Sequence, residues 1–80
     1  MIAQIKQKIE QHLPGAKVTV IDQSAAHQGH GASGAHLEME VIYPGFASRT
    51  MLEQHQTIYK ILDQELKQQI HALKLTTRAT

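Results

Sequence analysis

Residues 35–43, AHLEMEVIY, decide the fold of this chain. Apolar and polar side chains alternate along this stretch from Ala35 to Val41. The apolar set is Leu37, Met39 and Val41, and the polar set is His36, Glu38 and Glu40. Because successive side chains of a strand point to opposite faces, the alternation predicts a strand with one buried and one solvated face. Pro44 and Gly45 follow at once and end the strand.

Towards the amino terminus, the sequence predicts a second strand and a helix. Residues 17–22, KVTVID, are rich in β-branched side chains and alternate at their start, which indicates a strand. Residues 23–34 contain three glycines among small polar residues, so we expect a loop that joins the two strands as a hairpin. Before them, apolar residues recur at helical spacing and predict an amphipathic helix that stops at Pro14 and Gly15. Those residues are Ile2, Ile5, Ile9 and Leu13.

Towards the carboxyl terminus, the sequence predicts a long helix and a last strand. Thr50 and Glu53 match a capping box, in which each side chain bonds the backbone of the other residue. Helical spacing continues from there to about Gln68, over a length that allows a break in the middle. Residues 70–77, IHALKLTT, alternate again and predict the third strand.

The order helix, strand, strand, helix, strand predicts an α+β fold in a single domain of residues 1–80. A strand–helix–strand connection favours parallel pairing through a right-handed crossover, whereas the first two strands pair as an antiparallel hairpin. We therefore expect a three-stranded mixed sheet with helices covering one face.

The composition argues against several kinds of function. The 80 residues include six histidines and no cysteine, so the chain alone can form neither a disulfide nor a cysteine-ligated metal site. No nucleophile elbow surrounds the serines and no phosphate-binding loop is present, so we expect no enzymatic activity. The start of the chain does not resemble a signal peptide, and no segment has the roughly 20 apolar residues that span a bilayer. These features predict a cytoplasmic protein.

Histidines are the residues of this chain best suited to metal chemistry, because imidazole is a common ligand of metal ions. His27 and His30, three apart among small residues, can reach one metal ion, and the same spacing also fits a solvated loop. His71 lies at the start of the last strand. There, alternation places it on the side of Leu73 and Leu75 and favours a partly buried side chain bonded to backbone.

Two further histidines are interpreted as structural residues. His55 lies on the apolar stripe of the second predicted helix, where core packing with one hydrogen bond is favoured. His12 lies in the last turn of the first helix, where a cation interacts favourably with the helix dipole.

The element order and several local motifs resemble the BolA family over nearly all 80 residues. One of these motifs is the stretch from Ile70 to Leu73, which resembles the hallmark histidine-alanine-leucine strand of that family. The other matching stretches are residues 20–24 (VIDQS) and the loop to His27, residues 35–37 (AHL), Phe46 and residues 52–59 (LEQHQTIY). The last strand together with the helix before it makes the resemblance specific.

The resemblance implies a fold similar to the class II KH arrangement and a function without catalysis. BolA-like proteins bind monothiol glutaredoxins and can share a 2Fe–2S cluster with them, for which the partner supplies a cysteine and glutathione. Carried over residue by residue, the metal ligands are His71 and His27, with His30 as an alternate. Imidazole in place of thiolate leaves such a cluster less negative and raises its potential, as in Rieske centres. On this basis we expect a module in iron–sulfur trafficking or iron regulation that is monomeric alone and holds no cofactor by itself.

The resemblance also implies an alternative function, in which the chain is a nucleic-acid-binding transcriptional regulator of stress response or cell morphology. The candidate contact residues are Arg49, Lys60, Lys74 and Arg78. Gln54 and Gln56 stand where the family carries arginines around the helix histidine, and the net charge is only +1. Since affinity for DNA depends on clustered Lys and Arg, these departures weaken the alternative.

Overall fold

The computed structural model describes residues 2–23 and 34–80. Their elements, in chain order, are α1 (Ile2–His12), β1 (Lys17–Asp22), β2 (Ala35–Ile42), a 3-10 turn (Pro44–Phe46), α2 (Met51–Ile61), α3 (Asp63–Gln68) and β3 (Ile70–Arg78). The predicted α+β order is confirmed, and the long predicted helix breaks at Leu62 into α2 and α3. The short 3-10 turn after β2 was not predicted.

β2 is the central strand of a three-stranded sheet with the order β1-β2-β3. It pairs antiparallel with β1, with Val18 opposite Val41, and parallel with β3, with Met39 opposite Leu75. Side chains along β2 alternate strictly between buried and half-exposed positions, as the sequence predicted. The mixed sheet is therefore confirmed, with its register fixed by one apolar face.

The helices pack on the apolar face of the sheet and close one hydrophobic core. Ile5 and Ile9 of α1 and Ile58 of α2 are at most 1% exposed. Phe46, from the 3-10 turn, is the largest of the fully buried side chains. Each such side chain contributes about 1.5–3 kcal/mol to folding, which offsets part of the conformational entropy that an 80-residue chain loses. No helix within the described ranges is long and apolar enough to cross a membrane.

A capping box begins α2 as predicted. Thr50 Oγ1 accepts a hydrogen bond from the backbone N–H of Glu53, and Glu53 Oε1 accepts one from the N–H of Thr50. The bond from the Thr50 backbone lowers the pKa of the Glu53 carboxyl below its ordinary value. These two residues therefore determine where α2 begins within the crossover from β2 to β3.

Gln54 of α2 is buried and joins the helix to the turn that precedes it. Its Nε2 donates to the carbonyl oxygens of Phe46 (3.2 Å) and Arg49 (3.1 Å). Of the two glutamines that replace family arginines, only Gln56 lies on the exposed surface. The side chain of Gln54 therefore faces the interior, where it bonds backbone carbonyls.

An ion pair joins α1 to α3. Lys8 Nζ lies 2.9 Å and 3.0 Å from the two carboxylate oxygens of Glu65, and both side chains are mostly shielded from solvent. The hydrogen bond from Lys8 lowers the pKa of the Glu65 carboxyl. The pair fixes the first helix against the segment that leads into β3.

Candidate metal-binding site at the start of β3

His71 occupies a β-bulge at the start of β3. Ala35 pairs with Ile70 and His36 pairs with Ala72, so His71 has no partner position on β2. The extra residue interrupts the alternation, and the His71 side chain is exposed rather than buried with Leu73. The predicted partly buried position was therefore wrong, whereas the exposed imidazole is available to a ligand.

Gly34 provides the room in which the bulge approaches β2. Its φ of +85° is a conformation that side-chain-bearing residues rarely adopt. A β-carbon at this position would lie 3.1 Å from the β-carbon of His71 and 3.2 Å from the carbonyl oxygen of Gln69. The next residue, Ala35, donates its N–H to that same carbonyl at 2.8 Å. The two strands therefore begin side by side, with no side chain between them at the level of His71.

A shallow cavity of about 260 Å³ opens beside His71. It is bounded by Gly34 and by the end of α3 together with the first residues of β3. The exposed imidazole thus lies at the rim of a concave surface, where a group held by another molecule can approach it.

His36 is the second imidazole of this site, and it was not among the ligands predicted from the sequence. Its ring centroid lies 5.1 Å from that of His71, and the ring planes are tilted by 46°. The side chain is half-buried, and its Nε2 is out of contact with solvent. A signal was available in the sequence: both histidines are the second residues of strands that were predicted to pair in parallel.

His27 and His30, the predicted loop ligands, lie outside the described residues. The two described residues that flank their loop both contact the site. The N–H of Gln23 donates to the carbonyl oxygen of His36 at 2.6 Å, and Gly34 lies against His71. The described residues on either side of that loop, Gln23 and Gly34, therefore lie next to His36 and His71 respectively.

The remaining described histidines are remote from this site in the sequence and do not contact it. His55 is half-buried as predicted, but its Nε2 has no hydrogen-bond partner within residues 2–23 and 34–80. His12 is exposed, and its Nδ1 lies 2.9 Å from the carbonyl oxygen of Lys8 in the same helix. Within the described part of the chain, no three His, Cys, Asp or Glu side chains converge on one point.

The four basic residues considered for nucleic acid fall into two pairs on different surfaces. Arg49 and Lys60 line an open groove of about 780 Å³ along α2, together with acidic side chains of the same helix region. Lys74 lies 3.9 Å from Glu38 on the uncovered face of the sheet, and Arg78 lies 3.7 Å from a neighbouring glutamate, Glu40, on that face. The structure does not gather the four cations into one basic patch.

Comparisons with known proteins agree with this fold. The family model described as "BolA-like protein" matches residues 9–80. The chain is 30% identical over 71 residues to the "DNA-binding transcriptional regulator BolA" of Haemophilus influenzae, covering 89% of this chain and 69% of that protein. It is 29% identical over 82 residues to "SufE-like protein 1, chloroplastic/mitochondrial" of Arabidopsis thaliana, of which it spans only 22%.

Solved structures show the same architecture. The BolA domain of SufE1 from Arabidopsis thaliana matches with a TM-score of 0.82 and 28% identity, over 96% of this chain and 88% of that one. BolA1 from Arabidopsis thaliana matches with a TM-score of 0.83 and 21% identity, over 96% and 88% of the two chains. The second likeness shows the fold alone, and the first accompanies a family match over most of the sequence. Together these findings show that the chain belongs to the BolA family.

Proposed function

We propose that this chain is a non-enzymatic binding module that docks a monothiol glutaredoxin and shares a 2Fe–2S cluster with it. His71 supplies one ligand, and His27, or His30 in its place, supplies the other from the loop. The partner supplies a cysteine and glutathione. The role that follows is iron–sulfur trafficking or iron regulation in the cytoplasm, with the chain monomeric until it meets its partner.

The observation that carries this proposal is the exposed imidazole of His71 at the rim of a cavity. A shared cluster needs ligands that another protein can reach, and the bulge turns this side chain outward where regular alternation would bury it. Of the described residues that flank the loop with the other candidate ligands, Gly34 packs against His71 and Gln23 bonds the neighbouring His36. A chain without cysteine can offer only part of a coordination shell, which fits a partner that brings thiolates.

Histidine ligands suit a cluster that takes part in iron sensing or is transferred to another protein. When bound, a 2Fe–2S group supplies one-electron redox chemistry, and neutral imidazole ligands raise its potential relative to thiolates. The chain's own residues hold the site in place. Gly34 lets the strands approach, and the bulge keeps His71 outside the ladder of β2 and β3. Because a ligating imidazole must be deprotonated, we expect acid to weaken the shared complex.

Anaerobic reconstitution tests the proposal. The chain is mixed with a monothiol glutaredoxin, glutathione, iron and sulfide, and visible absorption and circular dichroism are recorded. We expect spectra that differ from those of the glutaredoxin homodimer and that revert to them with His71→Ala. His12→Ala is the matched control, since His12 is an exposed histidine at the end of α1. Spectra that are identical with and without the chain would contradict the proposal.

A second candidate function, binding of DNA as a regulator, is favoured by one observation. The Haemophilus influenzae relative carries "DNA-binding transcriptional regulator" in its name. In this chain, Arg49 and Lys60 share the groove along α2, whereas Lys74 and Arg78 lie beside glutamates on the open sheet. If DNA binds, the groove is the better surface, because Lys74 and Arg78 each lie within 4 Å of a glutamate oxygen and an ion-paired cation gains less from phosphate.

Retardation of duplex DNA on gels, at low and at physiological salt, tests this second function. Binding that persists at physiological salt and falls in the Arg49→Gln, Lys60→Gln double variant would support it. The Lys74→Gln, Arg78→Gln double variant removes the same charge from the sheet and is the control. Binding that disappears at physiological salt would mark non-specific charge attraction.

A further inference from the structure

We propose that His36 and His71 together chelate one divalent transition-metal ion, and that His36 is a metal ligand of this chain in its own right. The inference concerns the isolated chain and needs no glutaredoxin, so it goes beyond the proposed function although it shares His71 with it. Its basis is the spacing of two imidazoles that the sheet holds next to each other.

The distance between the two rings fits a shared ion. Imidazole binds zinc and similar ions through metal–nitrogen bonds of about 2.0–2.1 Å, and two imidazoles on one tetrahedral ion then hold their ring centroids about 5 Å apart. The centroids of His36 and His71 are 5.1 Å apart, and the planes are tilted rather than stacked. A pair of aromatic rings in simple packing contact spans a much wider range of separations.

The backbone fixes this spacing from two sides. His36 pairs with Ala72 of β3, and its carbonyl oxygen accepts a hydrogen bond from the N–H of Gln23, so its backbone is held from both sides. His71 is the extra residue of the bulge next to Ala72, and Gly34 packs against its β-carbon. Chelation by a pair on adjacent strands therefore requires only side-chain rotation, since both backbones are already in place.

The two imidazoles differ in their exposure to solvent, and this difference indicates which ring nitrogen of His36 binds the metal ion. Nε2 of His36 is out of contact with solvent, so the proposal places the metal on Nδ1 of His36. His71 is exposed and can turn toward the same point. No group of three His, Cys, Asp or Glu side chains converges within the described residues, so the other positions of the ion go to water or to outside ligands. Imidazole donors suit Zn²⁺, Ni²⁺ and Cu²⁺ and disfavour Mg²⁺ and Ca²⁺.

Titration of the apo chain with Zn²⁺ by calorimetry tests the inference. We expect one ion per chain, with affinity reduced about tenfold or more by His36→Phe and by His71→Phe. Phenylalanine keeps a ring in the place of each imidazole, so the packing of the pair is retained. His12→Gln is the control for an exposed histidine elsewhere, and a His27→Gln, His30→Gln double variant is the control for the loop. Affinity that survives in His36→Phe overturns the inference, whatever the loop variant does.

Nitrogen-15 NMR of the unaltered chain provides a readout that does not depend on the folding of any variant. Added Zn²⁺ is expected to shift Nδ1 of His36 and one ring nitrogen of His71 together, while Nε2 of His36 stays protonated. Shifts confined to other histidines would overturn the inference. Because glutaredoxin, iron and sulfide are absent, a negative result here leaves the shared-cluster proposal standing, and failure of that proposal leaves this result unaffected.

Discussion

A β-carbon added to Gly34 would stand 3.1 Å from the β-carbon of His71 and 3.2 Å from its backbone nitrogen, so these two residues meet without room for a methyl group. The contact lies where β2 and β3 begin their parallel pairing. Anything that widens this gap moves His71 away from His36. The glycine is therefore part of the site even though it offers no donor atom.

Gly34→Ala is expected to destabilise the fold by about 1–3 kcal/mol and to displace His71. Two causes combine, namely a positive φ and a close approach to the neighbouring strand. Gly15→Ala is a matched control, since Gly15 has a φ of +89° but nothing within 4 Å of the added carbon. Chemical denaturation gives the stabilities, and the NMR signals of the His71 ring report the displacement. If both variants perturb those signals equally, close packing at Gly34 is not what positions His71.

His71→Ala is expected to change the free energy of unfolding by less than about 0.5 kcal/mol, because the side chain is exposed and lies off the ladder. Ile70→Ala, one residue earlier, removes a side chain that is 4% exposed and is expected to cost about 2–5 kcal/mol. Thermal unfolding of the two variants measures the contrast. A large loss in His71→Ala would mean that the imidazole is structural, and spectroscopic losses in that variant would then need another explanation.

Gln54→Leu is expected to destabilise the protein by about 1–3 kcal/mol, because it removes the donor that bonds the carbonyls of Phe46 and Arg49. Gln56→Leu makes the same change two residues later on the exposed surface and is expected to stay within about 0.5 kcal/mol. Urea denaturation measures both. Equal effects at the two positions would show that the buried amide does not anchor α2 to the turn.

The ion pair between Lys8 and Glu65 is expected to make stability depend on pH. Hydrogen bonding to Lys8 lowers the pKa of Glu65 in the folded state, so the pair adds stability above the carboxyl's unfolded-state pKa. That contribution disappears as the pH falls through the lower, folded-state pKa. Lys8→Met should therefore be less stable than the unaltered chain by about 1 kcal/mol near neutral pH and nearly equal to it once the pH is below the folded-state pKa of Glu65.

Lys67→Met provides the control for this pH dependence. Lys67 pairs with Asp63 at 3.1 Å on the surface of α3, where both side chains are well over half exposed. An exposed pair of this kind contributes little, so this variant should follow the unaltered chain at every pH. Denaturation midpoints across the acid range compare the three proteins. If the difference in stability between Lys8→Met and the unaltered chain is the same at every pH, the effect comes from packing of the aliphatic part of the lysine side chain.

The fold was predictable because its signals are local. Strict alternation fixed β2, the capping pair at Thr50 and Glu53 fixed the start of α2, and the strand–helix–strand order fixed the parallel pairing. The orientation of His71 was not predictable from alternation, because a bulge inserts a single residue that leaves no mark in the hydrophobic pattern. The burial of Gln54 was not predictable either, because this polar side chain is buried only where the turn supplies carbonyls for it.

The parallel pairing of β2 and β3 has a kinetic consequence. The hairpin joins β1 and β2, which are consecutive strands, whereas the strands of His36 and His71 are separated along the chain by two helices and a 3-10 turn. Contacts between segments so far apart in the chain form late, because their loop-closure entropy is lost before they stabilise anything. We therefore expect a refolding chain to acquire its hairpin before its histidine pair. A molecule caught between those two stages would have secondary structure but no metal-binding site, so chelation would identify only chains that have finished folding.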